Sequence, residues 1–307
     1  MTIFLTLFAN LVPLYMIIAL GFVAGRYFGV DRNTLANLAL FILVPVVMFG
    51  FILQMEFKPA YLLLPVLVYG VQVMMGFGGL AIGRKMFGGT KAHIFAMLCS
   101  MGNTGYFGLP LALLLFDQNE VAIYIFMTIS GVMYEATVGY YIAARGHFSV
   151  QESLRKLAKF PMLYALVLAF IVKESGIVMP EQFFTYWTYF KGAYVVVGMM
   201  ILGAALGNIE KLVVDVKFIA SVFVGKFLIW PALICGVIAL DKAVFHLFSG
   251  PLYSLLLVNA IVPPAANVAA FASQLNLNPE KAATTILLGT VLALVSIPLM
   301  LMWAGIS

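Results

Sequence analysis

Gly102-Asn103-Thr104-Gly105-Tyr106-Phe107-Gly108-Leu109-Pro110 stands at the centre of an apolar run from His93 to Phe116, and that placement decides the fold. Three glycines and a proline in nine residues are poor helix formers, at about 1 kcal/mol per Gly and about 3 per Pro relative to Ala. Pro110 has no N–H to offer the carbonyl of Tyr106, so the stretch predicts a membrane helix that breaks near the bilayer midplane. A second stretch repeats the problem. In Val258-Asn259-Ala260-Ile261-Val262-Pro263-Pro264-Ala265-Ala266-Asn267, two prolines withdraw the usual donors from the carbonyls of Asn259 and Ala260. Non-helical backbone at that depth survives only against protein or a watery cavity, so two such breaks predict a cavity between them.

The whole chain is membrane-like. Its 307 residues are 64% hydrophobic and 9% charged, with a mean hydropathy of +1.09. A soluble domain has roughly 45–50% apolar and about 25% charged residues, so a water-soluble globule is excluded, as is disorder. The net charge of +5 does not point to nucleic acid, because the cations sit singly between apolar runs. Cys99 and Cys235 lie far apart inside such runs and read as packing residues. Continuous rather than alternating apolarity argues against an outer-membrane barrel.

Ten apolar windows follow: Phe4 to Gly25, Asn33 to Met55, Ala60 to Gly83, His93 to Phe116, Val121 to Ala144, Phe160 to Val172, Trp187 to Gly207, Phe218 to Leu240, Pro251 to Leu275 and Ala282 to Trp303. The first lacks the basic start of a secretory signal and reads as a membrane helix. The sixth is short unless Lys159 and Lys173 snorkel to opposite interfaces. Alternate connectors carry twelve Lys and Arg against three on the other side, which predicts a multi-pass protein of the cell (inner) membrane with both termini outside. Five helices is an odd number, so residues 1–144 and 160–307, joined by a cytoplasmic linker at 145–159, predict two inverted repeats. The placing of Pro13 and Pro161, each read as opening its half, adds a weak echo.

The half-helices after the breaks begin with unpaired amides, about Gly105 to Phe107 and Ala265 to Asn267, which carry a partial positive charge suited to an anion. Asn103, Thr104 and Asn267 add neutral donors, and the pocket fits a carboxylate. Isolated prolines kink many membrane helices, and a lone Asn is often interhelical glue worth about 1 kcal/mol. Two amide-rich breaks in matching places favour a transport site. Glu135 and Lys226 are intramembrane charges, read either as a coupling pair of groups, with Glu135 the proton carrier, or as a structural ion pair. Lys191, a turn inside its helix beside Tyr186, Trp187 and Tyr189, reads as snorkelling. Gly-x-x-x-Gly pairs at 21/25, 79/83 and 203/207 stabilise the bundle or at most a homodimer. His93, His147 and His246 sit at or beyond helix ends, and the sequence lacks a zinc-protease motif or P-loop. Neither an enzyme nor a cofactor is expected.

The two quoted stretches are similar to the paired crossover segments of the auxin efflux carrier family, which includes the plant PIN-formed carriers and compact bacterial carriers of malonate or malate. The chain most resembles the bacterial branch, because the linker at 145–159 is short. The resemblance implies ten helices in two inverted repeats, with helices four and nine broken and crossing at the substrate site, a plan similar to the bile acid sodium symporters. By that pattern Asn103 contacts the substrate carboxylate, and with Thr104, Gly105, Tyr106, Asn259, Pro263, Pro264 and Asn267 it makes up the expected substrate-binding set. Gly102, Gly108, Pro110, Pro263 and Pro264 shape the breaks. Helices three to five and eight to ten would move against one, two, six and seven. The expected activity is secondary active transport of small carboxylates such as malonate, malate or auxin-like acids. Protons through Glu135, or uncoupled flow driven by the membrane potential, are favoured over sodium, for which helix nine supplies Asn267, Ser273 and Gln274 but no carboxylate; Glu135, Lys226 and Gln274 are the coupling candidates. A sodium-coupled symporter, an anion channel and a ligand-binding receptor remain the alternatives.

Overall fold

The structure is a computed structural model that describes residues 2–145, 150–207, 209 and 211–306. Among them the chain is helical, with no strand beyond one isolated bridge. Seven helices are long and apolar enough to cross a membrane: α1 (Thr2–Tyr27), α2 (Arg32–Gln54), α3 (Pro59–Met86), α6 (Gln118–Ala143), α9 (Glu181–Gly207), α10 (Val216–Phe245) and α13 (Pro279–Ala304). The shorter ones are α4 (Gly89–Ser100), α5 (Thr104–Leu115), α7 (Val150–Ala158), α8 (Pro161–Glu174), α11 (Gly250–Ile261) and α12 (Asn267–Gln274).

All ten apolar windows are helical, but the fourth and ninth are each two helices. The sixth, α8, has 14 residues. At 1.5 Å per residue it covers about 21 Å, short of a hydrocarbon core of roughly 30 Å. Side-chain caps set several helix starts. Asp31 accepts from Thr34 N at 2.8 Å, Asp117 and Glu120 form a reciprocal capping box, and Asp215 accepts from Phe218 N at 3.1 Å.

Close packing explains the glycine pairs. A Cβ on Gly21 would stand 2.5 Å from the Met200 carbonyl oxygen, and one on Gly203 would collide with that of Ile18, so α1 and α9 touch backbone to backbone. Gly79 and Gly83 hold α3 against Ala96 and Ala92 of α4 in the same way. These pairs are used inside the chain.

Several sequence expectations need correction. Pro13 lies inside α1 while Pro161 opens α8, so the two are not matched positions. Lys173 does not run to solvent: it donates to the carbonyls of Ile52 (3.5 Å), Leu53 (3.3 Å) and Met55, capping the end of α2. Helix α9 starts at Glu181, which puts Lys191 well inside it, over the Trp187 ring at 4.9 Å and the Phe51 ring at 5.9 Å. Trp187 is buried and donates to the Val47 carbonyl, whereas Tyr186 and Tyr189 are exposed. His93 sits within α4, with Nδ1 2.7 Å from the Ile142 carbonyl oxygen. His147 and the Lys156 side chain lie outside the described residues.

Candidate functional site

The two interruptions satisfy each other. Helix α4 stops at Ser100, and Gly102 pairs with Pro264 in an antiparallel bridge. Asn103 N–H donates to the Pro263 carbonyl at 2.8 Å, and Ala265 N–H donates to the Met101 carbonyl at 2.9 Å. The Ala260 carbonyl, which the prolines deprive of its helical donor, accepts from Lys226 Nζ at 3.3 Å. Peptide groups freed by Gly and Pro are thus paired across the molecule, as an apolar interior requires. The Ala265 amide, expected to face an anion, is therefore engaged in the bridge. The amides of Gly105, Tyr106 and Phe107 precede the first bond of α5, Gly108 N–H to the Asn103 carbonyl, and keep the expected place.

Beside the bridge is a cavity of about 140 Å³. A water takes about 10–15 Å³ on that measure, so the space suits a small molecule of roughly ten non-hydrogen atoms. Gly102, Asn103, Thr104, Gly105, Tyr106 and Asn267 line it, together with Glu135. Asn267 Nδ2 donates to Glu135 Oε2 at 3.2 Å. Two buried donors on its wall, Asn103 Nδ2 and the Tyr106 hydroxyl, have no hydrogen-bond partner among the described residues. Buried groups of this kind normally find a partner, which makes these two candidates for contact with a ligand.

Other expected site residues stand elsewhere. Asn259, Pro263 and Pro264 are not in the cavity wall; Asn259 is buried beside Tyr124, whose hydroxyl donates to the Thr104 carbonyl at 3.3 Å. Gly108 lies against that same hydroxyl, and Pro110 sits in the first turn of the regular part of α5. Gln274 belongs to the wall of a second cavity. The supposed ion pair is not formed: Lys226 sits behind the bridge, 3.5 Å from the centre of the Trp230 ring, and Glu135 is on the cavity side. Both charges fall in π-helical turns, Glu135–Gly139 and Val224–Ile229, as does Thr104–Gly108. Such turns are frequent at functional sites.

Three residues of the region were missed. Gln72, whose Oε1 is buried without a partner, and Tyr194 line the cavity, and Arg32 reaches its edge. Gln72 had a signal in the sequence, being an isolated amide in an apolar window; Tyr194 had none, because aromatics are common throughout.

The helices and the cavity define a polytopic membrane protein with an internal polar site. The chain belongs to the membrane transport protein family, the auxin efflux carrier family, whose profile matches residues 6–301. It is also 30% identical over 179 residues to an uncharacterised transporter of Methanocaldococcus jannaschii, covering 56% of this chain and 58% of that protein. The chain thus spans less than two thirds of that relative's length.

Proposed function

We propose that the protein is a secondary transporter of small organic anions, working by alternating access around the bridged interruptions. The observation that carries this reading is the pair of unpartnered buried donors, Asn103 Nδ2 and Tyr106 hydroxyl, on two residues that line one cavity of about 140 Å³. Carboxylate oxygens accept from such donors, and the free amides of Gly105 to Phe107 add partial positive charge without a buried cation. The ten apolar windows form two inverted five-helix repeats in this proposal, with α4–α5 and α11–α12 as the broken, crossing helices. Both termini face outside, following the twelve-to-three distribution of cations between the two sides.

The experiment is a thermal-shift screen of acetate, malonate, malate and indole-3-acetate with purified protein, followed by uptake in proteoliposomes. One acid stabilises the wild type, and its uptake saturates and is stimulated by the same acid on the far side. Asn103→Ala loses about 1.5–3 kcal/mol of binding, roughly 10- to 100-fold in affinity. Stabilisation that survives Asn103→Ala sinks the site, and flux that never saturates makes the protein a channel.

Glu135 shares the cavity with the cargo, so a second negative charge is repelled unless the Glu135 carboxylate takes a proton. Proton and anion therefore travel together in this reading. Glu135→Gln flattens the pH dependence of uptake while retaining binding; an unchanged pH profile removes proton coupling through this residue.

A further inference from the structure

Arg32 opens α2 at the edge of a second cavity, of about 500 Å³, whose wall also carries Lys211, Ser273 and Gln274. Its Nη2 donates to the Ala266 carbonyl at 3.2 Å, and Ala266 is common to the walls of both cavities. The Arg32 Nε–H is buried and has no partner, and among the described residues no carboxylate forms an ion pair with the guanidinium. Neighbouring Asp31 is engaged otherwise, its Oδ2 accepting from both the amide and the hydroxyl of Thr34 at 2.8 Å. A guanidinium presents five N–H groups in a planar fork, and this one has a single acceptor. The guanidinium is half-buried, and Asp31 lies near it without touching it, so an anion at the guanidinium supplies the direct partner it lacks.

We propose that Arg32 anchors a second anion-binding site, where a small carboxylate docks on its way between the aqueous phase and the central cavity. The identity of the cargo rests on the transport reading above; the site itself rests on the guanidinium and its cavity. Arg32 lines the second cavity, and a guanidinium fork takes both oxygens of a carboxylate in parallel hydrogen bonds. Lys211 adds a second positive charge, while Asp31 and Glu280 stand in the same wall, so the site selects by the shape of the fork rather than by net charge. The passage inward is short. Ala266, whose carbonyl Arg32 holds, lies in both walls, so an anion leaving the guanidinium has the central cavity beside it.

The test is equilibrium binding of radiolabelled acetate, malonate and malate to the purified full chain, at low and high salt. The wild type shows two classes of saturable binding for at least one of these acids. Asn103→Ala keeps one class, weakened by salt; Arg32→Gln loses that class and keeps the other; the double variant loses both. Arg32→Lys keeps the salt-sensitive class at reduced affinity, because an ammonium lacks the fork. If Asn103→Ala alone abolishes all saturable binding, the second site is refuted and the central one stands. If Arg32→Gln loses both classes and its thermal midpoint falls, Arg32 only holds Ala266 in place and the proposal fails. A wild type that binds none of the three acids overturns both readings.

Discussion

At position 108 there is room for a hydrogen atom and nothing larger. A Cβ on Gly108 would run into the Tyr124 hydroxyl and stand 3.2 Å from Val262 Cγ1. Tyr124 is fully buried and holds the Thr104 carbonyl, so the added methyl group must push the phenol away from the residue that opens α5. Overpacking of this kind costs about 1–3 kcal/mol. Gly108→Ala therefore lowers the thermal midpoint and weakens cargo binding. Tyr124→Phe in the same chain removes the colliding oxygen and recovers most of the midpoint in a double-mutant cycle. At Gly105 the nearest atom, the Tyr194 hydroxyl oxygen, is 3.4 Å from the added carbon, and Gly105→Ala is the milder change. Equal losses at the two glycines show that backbone freedom, not the Tyr124 contact, governs both. The sequence presents 102, 105 and 108 as equivalent glycines; only the neighbours contributed by distant helices separate them.

At the level of helices, the interruptions and their partnership follow from the sequence because they are local: glycines and prolines in the middle of a membrane window leave peptide groups that hydrocarbon cannot satisfy. How those groups are satisfied is not local. The donor for the Ala260 carbonyl is Lys226, one window earlier, and the acceptor for the Ala265 amide is Met101, in the other half of the chain. Asn259 illustrates the same limit: its type and position fit a ligand contact, yet the turn of α11 points it at Tyr124. Arg32 was legible only as a topological charge, since its nearness to Ala266 depends on a fold that brings residues 234 positions apart together. The Gly-x-x-x-Gly pairs show an ambiguity resolved by packing, as a small-residue stripe serves a neighbour in the same chain or another copy equally well. Gly203→Val tests the outcome. Its side chain would enter the backbone of α1 at Ile18 and Gly21, so the midpoint falls while sedimentation shows the oligomeric state unchanged. A change of oligomeric state without loss of stability assigns the stripe to a contact between copies.

Across the whole molecule, charges are few. One of them joins distant parts of the chain: Lys281 of α13 donates to Asp215, which in turn caps α10 through the Phe218 amide at 3.1 Å. Lys281 is buried and lies over the Phe218 ring at 5.2 Å, so the pair closes α10 and α13 together. The hydrogen bond from Lys281, followed by that from the Phe218 amide, holds the Asp215 carboxyl below its usual value of 3.8. A depressed carboxyl pKa means that the unfolded chain binds the proton more readily than the folded one. The pair therefore contributes in full above the unfolded value of about 3.8, and its contribution disappears as the pH falls through the lower, folded value. Asp215→Asn removes the titrating group and leaves a cap in place, and its cost at neutral pH is about 1–2 kcal/mol. Thermal midpoints measured in detergent should thus differ between wild type and Asp215→Asn by a constant amount from neutral pH down to about pH 4, then converge in more acid solution. A gap that stays open at the acid end places the stabilisation in the shape of the side chain, and one that widens there reverses the sign and refutes the pairing as the source.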